Sequence, residues 1–194
     1  MLKTTMILNM QGYWAVGSGK GGGNEVDNRI DLDSDGFPYV PGKMLKGLIK
    51  DACRRLKNAG NSSYDFVDEL FGSSKDSEGL NRTETASGKI FISDARLSPS
   101  LRQALLQDKR RAARDNLTRN IYSTAIDETG TAKNETLRGY EVAVPMVLKS
   151  VLECDCQKEE LDCIKLAASK LVYAVGSHKS RGLGEVSIEF EDEA

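Results

Sequence analysis

The apolar pattern of this 194-residue chain predicts an α+β fold with two strand-helix-strand halves and a long hairpin inserted between them. Three observations carry that prediction. Helical periodicity runs through residues 44–56 and again through 161–175, β-favouring segments flank both stretches, and a turn-rich stretch with two extended arms occupies residues 117–145.

The elements follow in order. Residues 3–11 alternate loosely around Thr5, Ile7 and Leu8, which suits an opening strand, and a glycine-rich loop, GYWAVGSGKGGGNEVDNR, follows it. Pro41 and Gly42 mark the start of a helix in which Met44, Leu45, Leu48, Ile49, Ala52, Cys53 and Leu56 share one face. Residues 72–88 are polar and glycine-containing and read as loop, whereas KIFISDARL at 89–97 reads as a strand that ends near Pro99. In IYSTAIDETGTAKNETLRGYEVAVP, Asp127, Gly130 and Asn134 supply turn chemistry between two extended arms, so residues 117–145 form a projecting hairpin. Residues 142–152 then read as one strand, and Leu161, Ile164, Ala168, Leu171, Val172 and Val175 outline a second helix. GSHKSRGLGEVSIEF closes the chain as a glycine loop feeding a last alternating strand. The sum is the ferredoxin-like order also used by RNA-recognition (RRM-like) domains, as one domain over residues 1–194. That order alone assigns no function, because the fold hosts many.

Composition narrows the classes. The length supports a sizeable core, and no long apolar run suggests a signal peptide or a membrane span, so a cytoplasmic protein is expected. Four cysteines are too few for a disulfide framework here, which favours reduced thiols. A net charge of -2 argues against a free polyanion binder, but acid and base are segregated. Lys43, Lys46, Lys50, Arg54, Arg55 and Lys57 stand against Asp51 alone, and Lys109, Arg110, Arg111, Arg114 and Arg119 against Asp115. Either run could be no more than a solvated helix face; the second is also a candidate to fold on binding. Acid collects in the tail from Glu185 onward.

Several motifs fail their own tests. DLDSDG at residues 31–36 opens like a calcium loop, but its twelfth position is Gly42 and Pro38 and Pro41 interrupt it, so it reads as a polar turn. GSGK at residues 17–20 lacks the hydroxyl residue after the lysine that a nucleotide-hydrolase loop needs. Cys154, Cys156 and Cys163 cluster without a usual zinc spacing; a zinc site would need Cys53, His178 or a carboxylate as fourth ligand, and buried free thiols are the simpler reading. His178, the only histidine, stands between glycines and beside Lys179 and Arg181, a setting that suits a phosphate or a stacked base better than a tuned general base.

Four stretches in order resemble the RAMP superfamily, and more closely the backbone subunit of type III CRISPR effectors. They are GFPYVPGKMLKGLIKDACRRL, ELFGSS with GKIFISDARL, IDETGTAKNETLRGYEVAVP as the family's thumb hairpin, and GSHKSRGLGEVSI as its glycine-rich loop. The resemblance implies a ferredoxin-like core with that thumb. It implies subunits stacked on guide RNA beside copies or paralogues of themselves and other subunits, with complementary target RNA cut at regular intervals. RNA contacts then fall on Lys43, Lys46, Arg54, His178, Lys179, Arg181 and Gly182. Aligned on the Pro-Gly pair, Asp27 takes the family's catalytic position and would hold a divalent metal, magnesium being expected, or orient the ribose hydroxyl. A different loop alignment brings Asp31 there, and Trp14 and Ala15 stand where the family often has a histidine. A purely structural subunit, or a guide-precursor nuclease using His178, are the alternatives.

Overall fold

A computed structural model describes residues 1–17, 28–72, 87–133 and 136–192. The chain runs through β1 (Leu2–Met10), α1 (Gly42–Asn58), α2 (Val67–Phe71), β2 (Ile90–Ile92), α3 (Pro99–Leu105), α4 (Arg111–Asp115), β3 (Thr118–Ser123), β4 (Arg138–Ala143), β5 (Val147–Cys154), α5 (Lys158–Leu171) and β6 (Val186–Asp192). Four strands form an antiparallel sheet in the order β2-β5-β1-β6, and β3 with β4 forms a separate hairpin. This is the ferredoxin-like arrangement predicted, with the hairpin set into it between β2 and β5.

The sheet's buried face follows from alternation. On β1, Thr4, Met6, Leu8 and Met10 point inward, and the register sets Leu8 beside both Leu148 and Ile188. Helix α1 covers that face with Leu45, Ile49, Ala52 and Cys53, and α5 with Leu161, Ile164, Ala167 and Ala168. Each large apolar side chain so buried contributes about 1.5–3 kcal/mol. The beginning of α5 is closed by a reciprocal capping box between Gln157 and Glu160. Gly42 begins α1 hard against β2: a Cβ there would lie 2.0 Å from the Ile92 carbonyl oxygen, and its N–H donates to Asp94 Oδ1 at 2.9 Å.

The structure divides what the pattern joins. The strand expected over residues 142–152 is two strands, because Pro145 has no N–H for a ladder and the chain turns there from hairpin to sheet. The second helix stops at Leu171 short of Val175: the Val175 N–H donates to the Gly184 carbonyl at 2.8 Å and the Val186 N–H to that of Tyr173 at 3.0 Å, so residues 173–175 pair with the run into β6. The strand expected over 89–97 keeps only Ile90–Ile92, after which Ala95 bridges Val40 and Arg96 bridges Lys149. The basic stretch 109–119 takes helical turns before joining β3. At the hairpin's far end the Asp127 carboxylate accepts from the N–H groups of Thr129 and Thr131 at 2.8 and 3.0 Å, and Gly130 takes φ +84°. Asn134 lies outside the described residues, as do Ser18 to Lys20 of the GSGK stretch and residues 73–86 of the polar loop. No described helix is long and apolar enough to cross a membrane.

Candidate nucleic-acid interface

Residues 13–17, which leave β1, stitch three distant segments together. Trp14 is buried; its indole Nε1 donates to the Val144 carbonyl at 3.0 Å, and its backbone exchanges both hydrogen bonds with Ala143 at the root of the hairpin. On one side Gly17 bridges Ile30, and the Asp31 N–H donates to the Val16 carbonyl at 2.7 Å. On the other, the Ser177 N–H donates to the Ala15 carbonyl and that of Gly184 to Tyr13, both at 2.8 Å. Gly176 and Gly184 allow this approach: both have positive φ, and a Cβ on them would lie 2.2 Å from the Ala15 oxygen and 2.0 Å from the Val175 oxygen.

Tyr140 of β4 is where the stitched segments meet. Its backbone bridges Asn28, whose carbonyl accepts from the Glu141 N–H at 3.0 Å. Its ring stands edge-on to His178, centroids 4.6 Å apart at 62°, and its phenol oxygen accepts from Arg181 Nη1 at 3.2 Å. A hydrogen bond with Ser123, burial working against it, and the guanidinium of Arg181 together hold the phenol below the ordinary tyrosine range. His178 has φ 59°, the left-handed region, and is the only non-glycine residue there among those described. Two adjoining cavities open at this junction, of about 580 and 610 Å³, and share Arg138, Tyr140, His178 and Arg181 as a common wall. No carboxylate lines either one among the described residues, so the surface is cationic.

The expected RNA-contacting residues fall into three groups. His178 and Arg181 share the junction, while Gly182, at φ +80°, closes the helical turn they flank. Lys179 turns away toward α1, in a depression with Leu48 and Arg55. Lys43 lines a separate hollow of about 690 Å³ with Asp31, Tyr39 and Asp94. Lys46 donates to the Ile90 carbonyl at 2.8 Å, and Arg54 pairs with Asp68 at 3.0 Å, so both tie α1 to its neighbours on the flank toward β2 and α2. The structure thus brings His178 and Arg181 together, and gives Lys46 and Arg54 internal partners elsewhere.

Asp27 lies outside the described residues; Asn28, next in the chain, lines the polar cavity beside His178 and Arg181. Asp31 sits in the Lys43 hollow, its carboxylate accepting from the Tyr39 hydroxyl at 2.9 Å. Among the described residues no group of three or more His, Cys, Asp or Glu side chains is placed to hold a metal ion. Magnesium does not require such a cage, since one carboxylate with phosphate and water oxygens suffices, and Asp27 would have to supply that carboxylate.

The calcium-like turn has another use. The Asp33 side chain is only 1% exposed, and its carboxylate takes the N–H groups of Asp35 and Phe37 at 3.0 and 3.1 Å with the guanidinia of Arg96 and Arg102 at 3.3 and 2.5 Å. These oxygens clamp the turn to the stretch that follows β2 and to α3. All four cysteines are free; burial pushes the Cys53 thiol up to about 12 and raises the Cys154 thiol as well, which fits the free-thiol reading.

Sequence reasoning missed Tyr140, Arg138 and Asn28. The signal available was alternation: Arg138 and Tyr140 are two apart on a predicted hairpin arm and so share a face.

A profile of the RAMP superfamily matches residues 10–187. Among solved structures, a cryo-EM chain of type III-B Cmr-beta in the apo state is 15% identical, covers 97% of each chain and superposes with a TM-score of 0.66. A chain of type III-B Cmr-beta bound to cognate target RNA is 13% identical, with coverage of 98% of this chain and 97% of that one and a TM-score of 0.67. At these identities the likeness shows a shared fold. No curated protein matches the chain.

Proposed function

The chain belongs to the RAMP superfamily, and from that premise we propose that it is an RNA-binding backbone subunit of a type III CRISPR effector that cuts complementary target RNA. The observation that carries the reading is the cationic junction at Tyr140, where the hairpin, the glycine loop and the segment next to Asp27 meet. The fold shared with chains of Cmr-beta, one of them bound to cognate target RNA, supports a place in such an assembly beside copies or paralogues of this subunit.

Arg181, Arg138, Lys43 and Lys179 take phosphates of the guide RNA, and Gly182 lets the backbone come close. Lys46 and Arg54 contribute where RNA displaces the Ile90 carbonyl and Asp68. Exposed apolar side chains on the hairpin, Ile126 at 66% and Leu137 at 70%, suit a wedge against stacked bases. Asp27 orients the ribose 2′-hydroxyl so that its oxygen, giving up its proton to solvent, attacks the adjacent phosphorus in line; the bond from phosphorus to the 5′-oxygen breaks, that oxygen leaves with a proton from water, and a 2′,3′-cyclic phosphate remains. A divalent ion such as magnesium, when held by that carboxylate, would neutralise charge developing on the phosphate.

The test is assembly with guide RNA and labelled complementary target, with and without magnesium, comparing wild type with Asp27→Ala, Asp31→Ala and His178→Ala. Loss of cutting with intact binding in Asp27→Ala alone is the expected result. Wild-type binding without cutting would leave a structural subunit, and cleavage of guide precursor by the isolated chain, abolished in His178→Ala, would make it a processing enzyme.

A further inference from the structure

The two adjoining cavities at the hairpin root differ in character while sharing a wall. One is bounded by Ile121 and Leu183 and by the hydroxyl-bearing arm of β3; the other is polar, bounded by Asn28 and Ser180. Arg138, Tyr140, His178 and Arg181 stand between them. The Tyr140 and His178 rings form a fixed T-shaped pair, with the phenol oxygen tied to Arg181. Volumes near 600 Å³ fall within the range of about 300–1,000 Å³ typical of pre-formed small-ligand sites.

A ribonucleotide unit has the same two-part character: a flat, largely apolar base with a few polar edges, and an anionic ribose-phosphate. We propose that the paired cavities are a single-nucleotide pocket, which takes one base of a bound RNA strand into the lobe beside Ile121 and Leu183 and its phosphate into the lobe beside Asn28. His178 and Tyr140 form the aromatic wall for the base, and Arg138 and Arg181 pair with the phosphate. The left-handed backbone at His178 supports this: it is a strained conformation for a side-chain-bearing residue, retained where it aims the imidazole at Tyr140. The assignment rests on the RNA-binding reading above and adds to it where a base goes and what holds it.

The test is photocrosslinking of the full chain to single-stranded RNA carrying 5-iodouridine, with binding measured separately by gel shift and the adduct located by mass spectrometry. The expected adduct is on His178 or Tyr140, although Phe91 and Tyr173, which line neither cavity, are far more exposed at 59% and 71%. Ser123→Trp, a bulky group at an exposed position on the hairpin face shared with Arg138, should abolish that adduct and weaken binding on the order of ten-fold. RNA bound with normal affinity but crosslinked to the exposed rings, or to none, overturns the pocket while leaving RNA binding intact. No RNA binding at all overturns the functional reading and the pocket with it. Competition of the adduct by an equal concentration of adenosine monophosphate would make this a free-nucleotide site and also overturns a pocket for a strand.

Discussion

The phenol oxygen of Tyr140 and the guanidinium of Arg181 are joined at 3.2 Å although they lie 41 positions apart, and this bond fixes the glycine loop to the root of the hairpin. Tyr140→Phe keeps the ring against His178 and removes only the acceptor. A hydrogen bond of this kind is worth about 0.5–1.5 kcal/mol, so the unfolding free energy should fall by about that much, and RNA affinity by up to roughly ten-fold as the glycine loop loses its tie to the hairpin. Fluorescence anisotropy with labelled RNA and urea denaturation measure the two separately.

Asp33 is the anchor of the 31–40 turn. Asp33→Asn leaves Arg96 and Arg102 without their buried anion and should cost about 3 kcal/mol in urea unfolding at neutral pH. Burial raises the Asp33 pKa, but Arg102 and the N–H groups of Phe37 and Asp35 outweigh it, so the folded value lies below the ordinary 3.8. The stabilisation is therefore complete above 3.8 and is lost as pH falls through the folded value beneath it. Wild type should lose stability in that acid window, and Asp33→Asn should show a flatter acid limb.

Gly184→Ala forces a Cβ onto the Val175 carbonyl in a backbone of φ +82°. More than about 1 kcal/mol should be lost, and RNA binding with it, since the glycine loop can no longer lie against residues 13 and 175. Trp14, the chain's single tryptophan and 1% exposed, reports the outcome: its emission should stay blue in wild type and move red in the variant at lower urea.

The thiols of Cys53 and Cys154 are buried and held far from ionisation. In the native protein they should resist alkylation by iodoacetamide, and in urea they should react fully. A chelator should leave the thermal midpoint unchanged, whereas a fall of several degrees would reinstate a zinc site at the cysteines.

Periodicity was enough to place the opening and closing strands and the two helices that cover the sheet, and turn residues placed the hairpin, because burying one face of each element imposes a spacing that local sequence must obey. The same local logic placed His178, Lys179, Arg181 and Gly182 together in a glycine loop. Where Pro145 interrupts a run of β-favouring residues, or where Tyr173 to Val175 leave the helix to pair with the run into β6, only the competing tertiary pairing decided. It also decided that Lys46 and Arg54 would spend their charge on Ile90 and Asp68 while Arg138, Tyr140 and Asn28 gathered around His178. Such meetings depend on contacts between segments that are separate in the chain, 14 positions apart for Arg54 and Asp68, 44 for Lys46 and Ile90 and 41 for Tyr140 and Arg181, and no local pattern of side chains encodes which distant backbone a given strand will lie against.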